Sequence, residues 1–250
     1  MTEERIVSRK NPFLQQVKKL LSSRKEREAA GFFVADGTKL LEEAVKHCGG
    51  LQAVILSDGV EVNVPQHVRV VRVPGDVMES VSPMATPQGA LFVCRLPEKK
   101  PFTPAAPMLL LDGIQDPGNL GTILRTADAM HVPVALLEGC ADPYSHKVVR
   151  ASMGAVFRRD VSQTTWEEAK AKLTAARIPV AVTALSDRAE DIRKAAVDKM
   201  AVVIGSEGQG VRREILDSAD RELIIPMNEK CESLNAAVAS AIVCWQMQQV

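Results

Sequence analysis

Aromatic side chains make up only 4% of this 250-residue sequence, so any core must be aliphatic, built from Val, Leu, Ile and Ala. Cysteine is sparse and scattered. Cys48, Cys94, Cys140, Cys231 and Cys244 form no CxxC pair and accompany no cluster of histidines. That excludes the usual zinc spacings and suits reduced thiols in a cytosol. No apolar run approaches the roughly 20 residues that span a bilayer. The N-terminus is polar and charged, unlike a signal peptide. The expectation is a soluble cytoplasmic protein without metal or membrane segment. Net charge is missing too: 31 basic residues balance 31 acidic ones, which argues against a surface that binds polyanions all over.

What is present is an ordinary globular composition, 46% hydrophobic and 25% charged, enough for a full core. The neutral average hides an asymmetry. Residues 1–25 carry seven basic side chains (Arg5, Arg9, Lys10, Lys18, Lys19, Arg24 and Lys25) against Glu3 and Glu4. Such a segment is either a phosphate-meeting arm or a solvated helix face.

The clearest seam is RLPEKKPFTPAAPM, where Pro97, Pro101, Pro104 and Pro107 remove donors and fix φ. It predicts a front domain over 1–96, an extended linker over 97–107 and a back domain over 108–250. In the front domain the spacing of Phe13, Leu14, Val17, Leu20 and Leu21 predicts one helix over Asn11–Arg27. Further helices are expected at Thr38–Cys48 and Asp76–Val81, with strands at Phe32–Ala35, Leu51–Leu56, His67–Val73 and Gly89–Arg95. The back domain repeats the alternation more strongly. Strands are expected at Met108–Leu111, Val132–Leu137, Val180–Leu185, Met200–Ile204 and Arg221–Ile225. Helices are expected at Asn119–Met130, Lys147–Met153, Thr165–Ala176 and Ser233–Met247. A βα series of this kind predicts a parallel sheet covered on both faces, with ligands bound at the carboxyl ends of its strands.

Three loops sit at those ends. In LLLDGIQDPGNLGTILRTADA (109–129) a strand runs into a turn and then a helix for which Asn119 is a candidate cap. Asn119 and Arg125 lie six residues apart, within about 120° on the helix. Arg125, between Leu124 and Thr126, needs an anionic or polar partner, either a ligand or a local carboxylate such as Asp128. In AVVIGSEGQGV (201–211) Gly205, Gly208 and Gly210 surround Glu207. That order is neither the dinucleotide fingerprint nor a P-loop. A carboxylate there suits a ribose hydroxyl or a backbone amide better than a phosphate, although tight turns also use glycine. In LIIPMNEKCESLNAAVASAI (223–242) Pro226 stops a strand, Ser233 is an acceptable helix cap, and Asn235 is a polar amide that could face a ligand.

Taken together, N-L-G-T-I-L-R-T-A-D-A (119–129), R-A-S-M-G-A-V-F (150–157), I-G-S-E-G-Q-G-V (204–211), I-P-M (225–227) and S-L-N (233–235) resemble the SpoU/TrmH family of RNA ribose methyltransferases. S-R-K-N-P (8–12), L-L-S-S-R-K-x-R-E (20–28) and P-Q-G (87–89) resemble that family's N-terminal substrate-binding domain. The resemblance implies an α/β fold with a deep trefoil knot in the back domain, a topology that general rules treat as nearly absent. It also implies a small ribosomal-protein-like RNA-binding domain in front, and a homodimer whose active site lies near the subunit boundary. The implied cofactor is S-adenosylmethionine, cradled by Gly205, Ile225, Met227, Leu234 and Leu185. Asn119, Arg125, Glu207, Ser233 and Asn235 would form the catalytic cluster, with no metal. Arg9, Lys10, Arg24 and Lys25 would contact RNA. One departure stands out: Glu229 occupies a position that is usually glycine.

The expected reaction is methyl transfer to a ribose 2′-hydroxyl of structured RNA. Ribosomal RNA is preferred because the two-domain layout resembles that branch more than the single-domain tRNA enzymes. A tRNA methyltransferase, a catalytically weak RNA-binding relative and a dinucleotide-dependent α/β enzyme are the competing readings. Arginine is an awkward general base. Arg125 is therefore expected to stabilise charge on the 2′-oxygen or grip the adjacent phosphate, with Asn119, Ser233 and Asn235 orienting it and Glu207 fixing Arg125 or the loop.

Overall fold

The computed structural model describes residues 3–228 and 230–248. Up to Glu98 its elements are β1 (Glu4–Arg5), α1 (Pro12–Ser22), α2 (Arg24–Ala30), β2 (Phe32–Asp36), α3 (Thr38–His47), β3 (Leu51–Ser57), β4 (Arg69–Val73), α4 (Gly75–Val81) and β5 (Ala90–Arg95). Then come β6 (Met108–Leu111), α5 (Pro117–Ala129), β7 (Val134–Leu136), α6 (His146–Ala151), α7 (Ala155–Arg158), β8 (Ser162–Gln163) and α8 (Trp166–Ala175). The chain closes with β9 (Val180–Thr183), β10 (Glu190–Asp191), β11 (Ala201–Ile204), α9 (Arg213–Leu216), β12 (Arg221–Ile224) and α10 (Ala236–Gln246). Two compact units result. One joins the residues up to Glu98 with Asp142–Arg158; the other joins Lys99–Ala141 with the residues from Arg159 onward. This partition by packing differs from the partition read off the sequence, which kept 142–158 with the back domain.

In the front unit the expected single helix over Asn11–Arg27 is two. Ser23 leaves the helical region (φ −130°, ψ 121°) and its hydroxyl caps α2 by accepting from Glu26 N at 3.3 Å. Asn11 caps α1 in the same way, with Pro12 in the first turn where its missing N–H costs nothing. The apolar stripe Leu14, Val17, Leu20 and Leu21 is buried as the spacing predicts. The sheet is mixed, in the order β1-β4-β3-β5-β2, with β3–β4 parallel and β5 antiparallel to both β3 and β2. The returning segment 142–158 is bound by two devices. Phe33, on β2, packs against Tyr144 and Phe157, which also meets Phe92. Arg27, only 5% exposed, donates to Asp142 Oδ2 (2.6 and 2.9 Å) and to the Leu20 carbonyl (2.6 Å).

The back unit is a seven-stranded, all-parallel sheet in the order β10-β12-β9-β11-β6-β7-β8. All four residues of β6 (MLLL) and of β11 (AVVI) are buried, so both faces of the central strands are covered. Leu110 and Val203 join one core cluster with Trp166, Ala169 and Leu173 of α8. The proline-rich connector is not a free tether. Phe102 is buried in that cluster, and its carbonyl accepts from Lys172 Nζ at 2.8 Å. From β6 the chain runs outward to β7 and β8, whereas β11 lies on the opposite flank of β6. The strand order therefore reverses between β6 and β11, and a parallel α/β sheet opens a crevice at such a switch point.

Candidate active site

The carboxyl ends of β6 and β11 deliver the first and second loops to that crevice. After β6, Asp116 caps α5 by accepting from Asn119 N at 2.7 Å, with Pro117 in the first turn. The cap is thus Asp116, not Asn119, and the side chain of Asn119 is left free for another partner. The Asp-Pro pair was the signal for this, because Pro favours the first helical position. After β11, the chain turns back on itself: Ser206 and Gly210 exchange backbone hydrogen bonds. A Cβ on Gly205 would lie 2.1 Å from the Gly210 carbonyl carbon, so only glycine fits at the mouth of this loop. The third loop ends at Asn235, which is the cap of α10, accepting from Ala237 N (2.9 Å) and Val238 N (3.2 Å). Ser233, the other candidate cap, precedes it.

These loops bring three of the five expected catalytic residues into one hydrogen-bonded triangle. Asn119 Nδ2 donates to Glu207 Oε1 at 2.9 Å, and Asn235 Nδ2 donates to Asn119 Oδ1 at 3.0 Å and to Glu207 Oε1. Ala236 N adds a third donor to the same carboxylate oxygen at 3.1 Å. Glu207 is therefore aimed by three N–H groups, one of them at the start of α10. Ser233 does not join the triangle. Its side chain borders a cavity beside it.

That cavity, about 510 Å³, is framed by the exits of β9, β11 and β12. Gly205, Ile225, Met227, Leu234 and Leu185, the five residues expected at the cofactor, all line it, together with Glu207 and Ser233. Its chemistry fits an adenosyl compound: aliphatic walls from Leu185, Ile225, Leu234 and Ala239 for a flat ring, and strand-end backbone with Glu207 and Ser233 for polar groups. The volume is within the roughly 300–1,000 Å³ of small-molecule sites. Glu229 lies outside the described residues.

Arg125 stands apart. It is exposed, outside this cavity, and has no hydrogen bond or ion pair among the described residues. The local carboxylate that could have neutralised it, Asp128, pairs instead with Arg159 at 3.1 Å. The face of α5 that is buried consists of Leu120, Gly121, Ile123, Leu124 and Ala127, and Arg125 points off it. Of the four residues expected at RNA, Arg9 pairs with Asp76 (2.7 Å) and Arg24 with Glu28 (3.0 Å), all in exposed positions. Lys10 and Lys25 are exposed cations without an ion pair among the described residues. The sequence reading missed a buried carboxylate at the exit of β6. Asp112, 1% exposed, accepts from Arg212 N (2.8 Å) and Arg212 Nε (2.7 Å), and Arg212 also reaches Glu138 at 3.1 Å. Burial works against the Arg212 charge, but these hydrogen bonds outweigh it and raise its pKa.

The parallel sheet thus carries a carboxylate-amide cluster at its switch point and, beside it at the exits of β9, β11 and β12, an adenosyl-sized cavity. The SpoU rRNA Methylase family model matches residues 106–245, more than half of the chain, and the chain belongs to that family. An MRM3-like substrate binding domain model matches residues 11–91. Among curated proteins the chain is 34% identical to the 23S rRNA (guanosine(2553)-2′-O)-methyltransferase RlmP of Bacillus subtilis, covering 98% of this chain and 99% of that protein. It is 28% identical to the human mitochondrial rRNA methyltransferase 3, over 93% of this chain and 71% of the relative. Among solved structures, the AdoMet-bound rRNA methyltransferase of Sinorhizobium meliloti superposes with a TM-score of 0.85 at 26% identity, over 98% of this chain and 97% of that one.

Proposed function

We propose that this protein transfers a methyl group from S-adenosylmethionine to a ribose 2′-hydroxyl of ribosomal RNA. The observation that carries the reading is the Asn119–Glu207–Asn235 triangle at the edge of the 510 Å³ cavity, where an acceptor would meet a bound cofactor. The full-length similarity to RlmP, named for a guanosine 2′-oxygen of 23S rRNA, supports ribosomal RNA over tRNA.

When bound, S-adenosylmethionine supplies an electrophilic methyl group on a sulfonium. The residues of this chain do the rest. Gly205, Ile225, Met227, Leu234 and Leu185 hold the cofactor, with Gly205 permitting the tight 205–210 loop that carries Glu207 to the cavity wall. Glu207 has one oxygen saturated by three donors, so it is a fixed acceptor that orients rather than a mobile group. Asn119 and Asn235 align the ribose with it. Such alignment can lower a barrier by several kcal/mol. Ser233 borders the same cavity and orients the cofactor's polar end. Arg125, exposed and without a partner among the described residues, grips the phosphate next to the acceptor or the charge that develops on its oxygen. The front unit holds RNA through Arg9, Lys10, Arg24 and Lys25.

The assembly proposed is a homodimer. Val238 and Trp245, seven residues apart on α10, are 48% and 61% exposed, with Ala241 and Ile242 half-buried between them. This outward apolar stripe begins beside the triangle and gives Arg125 a subunit boundary at which to work. The knotted back domain and a cytoplasmic location belong to the same reading. Among the described residues no helix is long and apolar enough to cross a membrane.

The test is ribose-methylation mapping of ribosomal RNA from a strain lacking the gene, with the missing mark restored by purified protein, S-adenosylmethionine and no added metal. A complete set of marks in the deletion strain, together with no calorimetric binding of S-adenosylhomocysteine, would refute the reading. Light scattering at micromolar concentration tests the dimer, and a monomeric mass removes it.

A further inference from the structure

The loop that walls the cofactor cavity also walls a second one. Ser206–Val211 borders both, and the second, about 840 Å³, is completed by Asn119 and by the exits of β6 and β7. Glu207 is thus shared: a ligand in either cavity meets the same carboxylate. The floor is built open. Gly113 (φ +66°) and Gly139 (φ +84°) face each other across the two strand exits, a Cβ on Gly139 would touch Gly113 Cα at 3.4 Å, and a Cβ on Gly113 would meet nothing within 4 Å.

The charges on the walls decide what can enter. The two arginines are already committed. Arg212 bonds Asp112, Glu138 and Glu214 (2.7, 3.1 and 3.0 Å), and Arg213 bonds Asp217 at 2.9 Å. Against them stand the carboxylates of Asp112, Asp116, Glu138 and Glu207. Glu138 Oε1 and the side-chain amide of Gln115 have no partner among the described residues. A wall with a surplus of negative charge and free acceptors repels phosphate and attracts N–H donors. We propose that this cavity receives the base of the acceptor nucleotide, with Glu138 and Gln115 accepting hydrogen bonds from its donor edge.

The inference rests on the ribose-methylation reading, since that reading sets the ribose at the wall the two cavities share. An unstacked base is what a protein reads by its edge in RNA. A carboxylate is best matched by two adjacent donors. Guanine offers a ring N–H beside an exocyclic amino group, whereas adenine and cytosine place an acceptor next to the amino group, and uracil flanks its N–H with two carbonyls. The base selected is guanine.

The experiment has two arms, both on the full-length protein. In the first, turnover is measured on an RNA carrying the mapped acceptor as guanosine or as inosine, which lacks the amino group. Wild type should favour guanosine, and Glu138→Gln should raise KM for the guanosine RNA roughly tenfold. The variant should also lose the preference, with kcat and S-adenosylhomocysteine affinity nearly unchanged. A variant that discriminates as wild type does, or an acceptor that maps to another base, overturns the proposal. In the second arm, amide spectra of the wild type are recorded with guanosine and with inorganic phosphate. Guanosine should shift the Gly113 and Gly139 signals and phosphate should not. The reverse, or no shift with guanosine, overturns the proposal too. Because this arm needs no turnover, it stands even if no RNA is methylated, an outcome that would sink the ribose reading alone.

Discussion

Two arginines mark a contrast between the two units. Arg27 in the front unit is 5% exposed, with its guanidinium divided between Asp142 and backbone carbonyls. Arg125 in the back unit is exposed and bonded to nothing among the described residues. Both lie in helices, and both belong to segments that mark the family. A buried cation must find its counter-charge inside the fold, because an uncompensated one costs several kcal/mol. An exposed one can wait for a ligand. The front unit spends its polar side chains on holding a distant segment, 142–158, in place. The back unit keeps its polar groups at strand ends, where Asn119 and Glu207 border a cavity and Asn235 is exposed beside them.

If this contrast is right, the largest effect comes from Arg125→Ala. Methyl transfer should fall about 10²–10³-fold while calorimetry gives an unchanged S-adenosylhomocysteine affinity. Loss of cofactor binding would erase the distinction between the exposed arginine and the cavity. Next is Arg27→Met, which strands Asp142 and should lower unfolding free energy by about 3 kcal/mol or more in denaturant titrations. Turnover per folded molecule should be unaffected. A variant as stable as wild type but inactive would show Arg27 to be a functional residue instead.

A smaller change is expected when Arg9, Lys10, Arg24 and Lys25 become alanine together. Arg9 and Arg24 are already paired with Asp76 and Glu28, so the loss should resemble two phosphate contacts rather than four. The log–log salt slope of RNA binding should then decline by roughly 1.4–1.8, with turnover at saturating RNA retained. A drop near four contacts would mean those ion pairs open on RNA.

The smallest effect concerns Asp36, a buried carboxyl whose Oδ1 has no hydrogen-bond partner among the described residues. Burial pushes its pKa above the usual 3.8, and the charges of Arg150 and His146 only partly offset this. Its contribution to stability is therefore present below pH 3.8 and is lost as pH rises through the elevated value. Asp36→Asn should raise unfolding free energy at pH 7 and show no gain at pH 3. His146 runs the other way: burial lowers its pKa, so its contribution is lost on acidification. A gain for Asp36→Asn that is independent of pH would assign the effect to packing.

Much of this was legible in the chain. The strand over Met108–Leu111 was read to its ends because a run of apolar residues stops at Asp112-Gly113, and Met200–Ile204 was read to within one residue because Gly205 follows it. The parallel α/β class followed from their alternation with helices. Other features left weaker marks. Ser23 splits a helix that periodicity alone made continuous, and Asp116 and Asn235 took capping positions first assigned to Asn119 and Ser233. The two-residue strands β8 and β10 carry too few side chains to show any period.

By itself the sequence determined which polar residues stand at strand exits and helix starts, because caps, breakers and apolar periods act within a few residues. Only the tertiary structure decided which of them meet. Asn119, Glu207 and Asn235 are separated by as many as 116 positions, and they converge because β11 lies beside β6 in the sheet and α10 starts next to both exits. It also decided that 142–158 packs with the front unit and that Arg125 is exposed with no partner among the described residues. Long-range pairing depends on complementary surfaces and strand order, and neither is encoded in any local window.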